Sequence, residues 1–258
     1  MSIGRRGFIK LAGLTTLAGV MGKKAINAFA DELSALPAEI GVSLVGKRWA
    51  MVVDLKKCLR QDGCTDCINA CHSVHNVPQF PNPKDEIKWI WKESFDHAFL
   101  EQEHEYIEDE LKHSPALVLC NHCDNPPCVR VCPTGATFKR EDGIVEMDMH
   151  RCIGCRYCVA ACPYGSRSFN WRDPRPFIEK TDPDFPTRMR GVVEKCNFCA
   201  ERLARGRMPA CVEACKENCL VFGDLEDPNS RVREVLRANF SIRRKPSLGT
   251  NPEVYYIV

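Results

Sequence analysis

Sixteen of the seventeen cysteines in this 258-residue chain fall into four groups of four. The groups are Cys58-Cys64-Cys67-Cys71, Cys120-Cys123-Cys128-Cys132, Cys152-Cys155-Cys158-Cys162 and Cys196-Cys199-Cys211-Cys215, and only Cys219 stands outside them. This constrains the fold before any helix or strand is considered, because clustered thiolates need a metal centre and the backbone must bend around it. The third group reads Cys-x2-Cys-x2-Cys-x3-Cys-Pro, ending Cys162-Pro163. That spacing belongs to [4Fe–4S] chemistry. Four complete sets predict four [4Fe–4S] clusters.

Three thiolates spaced by two residues let a short loop meet three iron corners of one cube, with backbone N–H groups turned toward the sulfurs. The fourth thiolate has by then left along a helix and serves the neighbouring cluster, as in bacterial two-cluster ferredoxins. On that logic Cys152, Cys155 and Cys158 join Cys132, while Cys120, Cys123 and Cys128 join Cys162. The outer groups exchange in the same way: Cys58, Cys64 and Cys67 with Cys215, and Cys196, Cys199 and Cys211 with Cys71.

Two blander readings compete. An odd cysteine count and tight Cys-x2-Cys pairs argue against a disulfide framework. Structural zinc uses two separated Cys-x2-Cys pairs, a pattern that only the last group approaches. Cys-x-x-Cys-His, needed for covalent haem, does not occur. Cys219 stands four residues after Cys215, the offset at which Ala136 follows Cys132 and Ser166 follows Cys162. It is read as a small packed side chain rather than a ligand.

The N-terminus carries Gly4-Arg5-Arg6-Gly7-Phe8-Ile9-Lys10, then the apolar stretch Leu11–Met21 and Ala28-Phe29-Ala30. This is a twin-arginine signal with a cleavage candidate. The apolar stretch is too short to span a bilayer. The expected compartment is therefore the periplasm. Residues 1–30 hold five basic side chains and no acid, so without them the formal +2 becomes −3. Oxidised clusters add further negative charge, which excludes nucleic acid as an expected partner.

The expected class is α+β, as tandem bacterial two-cluster ferredoxin-like modules with much irregular structure and clusters in place of much of the hydrophobic core. Lys47–Leu55 and Gly143–Met149 read as strands leading into the first and third groups, with Asp54 and Asp148 each four residues before a cysteine. The predicted divisions are a signal peptide (1–30), an N-terminal extension (31–46), the four-cluster domain (47–226, with an insert at about 76–116) and a C-terminal helix and tail (227–258). Within the insert, His97 to Lys112 is predicted to be a helix with Phe99, Ile107 and Leu111 inward. Its outer face carries Glu101, Glu103, Glu105, Glu108, Asp109 and Glu110, read as a solvated surface with docking as the alternative. The apolar ending Val254–Val258 packs either on the body or on a partner. His72, His75 and His122 are expected to cap turns or donate near sulfur rather than act as acids or bases.

Cys120-Asn-His-Cys-Asp-Asn-Pro-Pro-Cys-Val-Arg-Val-Cys-Pro-Thr-Gly-Ala and Val221-Phe222-Gly223-Asp224 resemble the four-cluster iron–sulfur subunits of molybdopterin-type oxidoreductases. That family includes the electron-transfer subunits of dimethyl sulfoxide, polysulfide and formate-dependent nitrite reductases (NrfC and PsrB types). Relatives with tryptophan at one ligand position carry a [3Fe–4S] cluster. All sixteen positions here are cysteine. The twin-arginine leader, Cys58-Leu-Arg-Gln-Asp-Gly-Cys64, Arg172-Asp-Pro-Arg-Pro-Phe177 and the ending Gly249-Thr-Asn-Pro-Glu-Val-Tyr-Tyr resemble DsrO-type subunits of DsrMKJOP complexes. The resemblance implies an NrfD-like integral membrane subunit and a multihaem cytochrome c as partners. It also implies peripheral attachment to the outer face of the cytoplasmic membrane, and a link from the quinone pool and cytochrome c to sulfur metabolism. The chain is then an electron-transfer subunit without catalytic residues. An enzyme with an open iron site, a zinc scaffold and a hydrogenase-linked subunit are the alternatives. Two departures stand out: five residues separate Cys58 from Cys64, and Lys216 replaces proline after Cys215. The first makes Cys58 the weakest ligand candidate, and the second is expected to alter the local turn.

Overall fold

The computed structural model describes residues 43–102, 106–107 and 109–258. The signal and most of the extension lie outside these residues. β1 (Trp49–Asp54) is the central ladder, and all six of its residues are buried. Burial on both faces suits its apolar run Trp-Ala-Met-Val-Val. Trp49, Met51 and Val53 face the main core, whereas Ala50 and Val52 lie beneath Val232 of the helix Arg231–Ala238. Asp54 then accepts from Lys57 N at 3.0 Å and caps the helix Leu55–Leu59. The helix Asp66–Val74 follows and carries Cys67 and Cys71.

β2 (Ile90–Ser94) and β3 (Pro115–Leu119) form an antiparallel hairpin with Ser94 opposite Pro115. This hairpin overturns the expected single helix over 97–112. The insert must leave and return at adjacent strands, whereas sixteen helical residues would extend about 24 Å in one direction. It is broken instead into Phe95–Ala98, Leu100–Gln102 and Asp109–Lys112. Phe99 is nevertheless buried, and Ile107 and Leu111 pack on the core. Glu103, Glu105 and Glu108 lie outside the described residues. Glu101 accepts from Ser247.

β4 (Thr137–Lys139) pairs antiparallel with β5 (Val145–Met147), and β6 (Ser168–Phe169) with β7 (Val193–Glu194). β8 (Leu220–Asp224), β9 (Ser241–Ile242) and β10 (Val254–Ile257) complete a four-stranded sheet of order β8-β1-β10-β9. β10 runs parallel to β1, and Tyr256 is fully buried. The terminal apolar run therefore packs on the body, and the predicted tail past 226 contains a helix and two strands. Gly223 passes close beneath Val232, where a Cβ would stand 3.1 Å from the valine methyl.

The expectation that clusters replace much of the core is also corrected. Trp49, Trp89, Phe95, Phe99, Phe198, Phe222 and Tyr256 build an ordinary apolar core, with Trp49 stacked on Phe222 and Phe99 edge-on to Tyr256. Each fully buried large side chain contributes about 1.5–3 kcal/mol. Asp54→Ala removes the cap of the first helix, and an equilibrium unfolding measurement is expected to show a loss of about 1 kcal/mol. No helix among the described residues is long and apolar enough to cross a membrane.

Candidate metal centres

No two of the seventeen cysteines are joined by a disulfide. Strand register explains how distant ones meet. Val53 of β1 lies opposite Leu220 of β8. Cys58 follows the first by five residues and Cys215 precedes the second by five, so both arrive at one end of the pair. The β4–β5 hairpin repeats this arrangement: Thr137 lies opposite Met147, with Cys132 five residues before and Cys152 five after. Asp148 also accepts a backbone N–H just before its group, from His150 N at 2.9 Å two residues on, where Asp54 reaches Lys57 N three residues on.

One recess, of about 330 Å³, is lined by Cys58, Cys64, Cys67 and Cys215, with Cys219 beside them. Cys71 lies with Cys196, Cys199 and Cys211, close enough for their charges to interact. A third cavity is lined by Cys120, Cys123, Cys128 and Cys162, and a fourth by Cys132, Cys152, Cys155 and Cys158. The structure thus brings the sixteen cysteines together in four crossed sets.

Backbone donors converge on the sulfurs. Phe198 N donates to Cys196 Sγ at 3.4 Å, Ala210 N to Cys199 Sγ at 3.4 Å, Thr137 N to Cys132 Sγ at 3.4 Å and Cys219 N to Cys215 Sγ at 3.2 Å. The loop of the third group needs glycine at Gly154, which has φ +69° and whose Cβ would stand 2.4 Å from the Gly191 carbonyl oxygen. After Cys132 and Cys162 the chain turns through Gly135 and Gly165 at φ 64° and 65°. After Cys215, Asn218 holds φ 51° at the same offset. Asparagine tolerates this region well. The expected change of turn at Lys216 is therefore absent.

Burial, then repulsion among neighbouring thiols, pushes Cys67 and Cys123 up to about 12. Desolvation raises Cys71 and Cys199 well above the ordinary thiol value. Cys132 goes the other way: burial raises it, but hydrogen bonds from Thr137 N and Thr134 outweigh that and hold it low. Buried thiols of this kind become thiolates when a metal centre supplies the positive charge. Four soft donors per cavity with N–H groups aimed at sulfur fit [4Fe–4S] clusters.

The sites follow one another. Cys71 and Cys211 interact with Cys67 of the first set, Cys196 with Cys120 of the third, and Cys158 with Cys128. The second site is buried throughout, whereas Cys58, Cys64 and Cys215 are half-exposed at one end and Cys155 is exposed at the other. Ile153, Tyr157, Trp171 and Met189 are exposed on the segments around Cys155.

The histidines make local backbone, carboxylate and ring contacts. His75 Nδ1 bonds the Cys71 carbonyl at 2.8 Å and its Nε2 meets Glu201 at 3.0 Å. His122 Nδ1 accepts from Val145 N, and its ring stacks on Phe198 at 3.7 Å. His72 is held low by desolvation, a hydrogen bond to the Ile90 backbone acting against it. Cys219 is buried, as are Ala136 and Ser166 at the same offset, and it also hydrogen-bonds Cys58. Cys219→Ala is expected to leave iron content unchanged, whereas Cys58→Ala lowers it by about a quarter. The reverse order in iron analysis would exchange the roles of the two residues. Arg167, which touches Cys128 Sγ, was missed by sequence reasoning; its basic side chain so soon after Cys162 was the available signal.

Residues 114–177 and 184–225 match the 4Fe-4S dicluster domain family, which defines an iron–sulfur protein. The chain is 40% identical to Hdr-like menaquinol oxidoreductase iron-sulfur subunit 1 of Archaeoglobus fulgidus, over 98% of this chain and 97% of that protein. It is 38% identical to the menaquinone reductase iron-sulfur cluster-binding subunit of Nitratidesulfovibrio vulgaris, covering 81% and 88%. Protein NrfC of Escherichia coli is 36% identical, covering 84% and 83%. The chain belongs to this family of iron–sulfur electron-transfer subunits of oxidoreductase complexes.

Proposed function

We propose that the chain relays electrons through four [4Fe–4S] clusters held by the sixteen grouped cysteines. The observation that carries this is the order of the sites: a fully buried set and one buried but for Cys162 lie between two sets that reach the surface. When bound, the clusters supply one-electron chemistry. The protein fixes their spacing through strand register, buries the second site completely and directs N–H groups at the thiolates. Iron and sulfide analysis with electron paramagnetic resonance on the anaerobically purified, reduced chain tests it. Four clusters are expected; zinc without iron, or fewer than four after full maturation, overturns it.

The finer reading is a periplasmic DsrO-like subunit on the outer face of the cytoplasmic membrane. It works with an NrfD-like membrane subunit and a multihaem cytochrome c, linking quinone to sulfite metabolism. Relatives named for menaquinol and menaquinone support the quinone link. Relatives named as reductase subunits, among them a tetrathionate reductase subunit, support a second reading as the iron–sulfur subunit of a molybdopterin-type reductase. Co-purification from gently solubilised membranes decides: Dsr components support the first, and a molybdenum subunit the second.

A further inference from the structure

Arg167 is buried and forms no ion pair with a carboxylate among the described residues; the largest electrostatic contributions to it come from the cysteines Cys128, Cys158 and Cys120. Three other buried cations have oxygen partners, two of them carboxylates. Arg188 pairs with Glu194, Arg202 with Glu213, and Lys195 donates to the Cys196 carbonyl. Arg167 instead donates through Nη2 to Cys128 Sγ and through Nη1 to Thr137 Oγ1, both at 3.1 Å. Met147 Sδ lies 4.0 Å from Nη1.

These contacts belong to two different sites. Cys128 and Arg167 line the third cavity, while Thr137, Met147 and Cys158 line the fourth. The guanidinium is thus part of the wall between them. An isolated buried charge is costly, and only opposite charge placed nearby offsets the cost. Here that opposite charge is thiolate on both sides. Reduction adds negative charge to a cluster, so a fixed cation in a poorly solvated wall favours the reduced form of each neighbour. Arginine keeps its charge at any working pH, and its fork lets one residue reach both sites.

We propose that Arg167 is a positioning and potential-setting residue shared by the third and fourth sites, raising the midpoint potentials of both clusters together. The inference rests on the four-cluster reading above. It implies that these two clusters form an electrostatic unit, with the other two outside its influence.

The test is a redox titration of the full chain, monitored by electron paramagnetic resonance. Cys123→Ser and Cys155→Ser mark which signals belong to the third and fourth sites. Arg167→Met is expected to lower both midpoints and leave the other two in place. The shift should persist at high ionic strength, because a buried charge is poorly screened. Arg167→Lys, which retains the charge, should keep both near their original values. If Arg167→Met does not assemble its clusters, Arg167→Gln removes the charge while keeping an N–H donor for Cys128, and the same two shifts are expected. Four unmoved midpoints in a fully loaded neutral variant overturn the proposal, as does a shift confined to the third site. A lysine variant that shifts as far as the neutral ones also overturns it. Fewer than four clusters in the unsubstituted protein would instead sink the four-cluster reading itself.

Discussion

Cys71→Ala is expected to remove one cluster, lowering iron content by about a quarter, and to stop transfer between the two surface ends. Cys71 is buried with Cys196, Cys199 and Cys211 in the second set, between the half-exposed first set and the third. The described residues hold no further cysteine set that would offer a detour. The first set approaches the second through Cys67, and the second approaches the third through Cys196. Spectroscopy on the reduced variant should show three clusters, with the two surface sites still reducible from their own sides. Cys155→Ala, at the exposed end, should also lose a cluster but leave the other three in contact. Retention of all four clusters in Cys71→Ala would remove Cys71 from the ligand set and break the crossed arrangement of the outer groups.

Glu194→Gln is expected to destabilise the protein by about 3–5 kcal/mol, because it leaves the Arg188 charge buried without its partner. The two side chains are 0% and 1% exposed and meet at 2.5 Å. Glu194 also accepts from Trp89 Nε1 at 3.0 Å and from Asn170 Nδ2 at 2.6 Å. Arg188 donates to the carbonyls of His75 and Asn76. The pair therefore ties the end of the second site's helix to β7 and the insert. A drop of roughly 10 °C in the thermal midpoint of the loaded protein is the expected reading. A change below about 1 kcal/mol would show that the network relaxes around the loss.

Sequence and structure divide the work unevenly. The cysteine spacing carried the four sets of four because thiolate geometry is local: three donors within one short loop and a fourth on the departing helix. β1 was readable for the same reason, as a buried apolar run before a capping aspartate. The broken insert was not. Phe99, Ile107 and Leu111 have helical spacing, but the pairing of Ser94 with Pro115 that forbids one long helix is a tertiary fact. The turn after Cys215 was misread because proline was weighed more heavily than φ; Asn218 supplies the left-handed residue whatever stands at Lys216.

The sequence by itself determined the donor type, the four sets of cysteines and the repeat that relates them, because all three follow from residue type and short-range spacing. Tertiary structure alone decided that the outer and middle pairs meet where Cys196 approaches Cys120, which sites reach the surface, and that Arg167 stands between two of them. Those properties depend on the register of β1 with β8 and of β4 with β5, and register is set by long-range packing that no local pattern encodes.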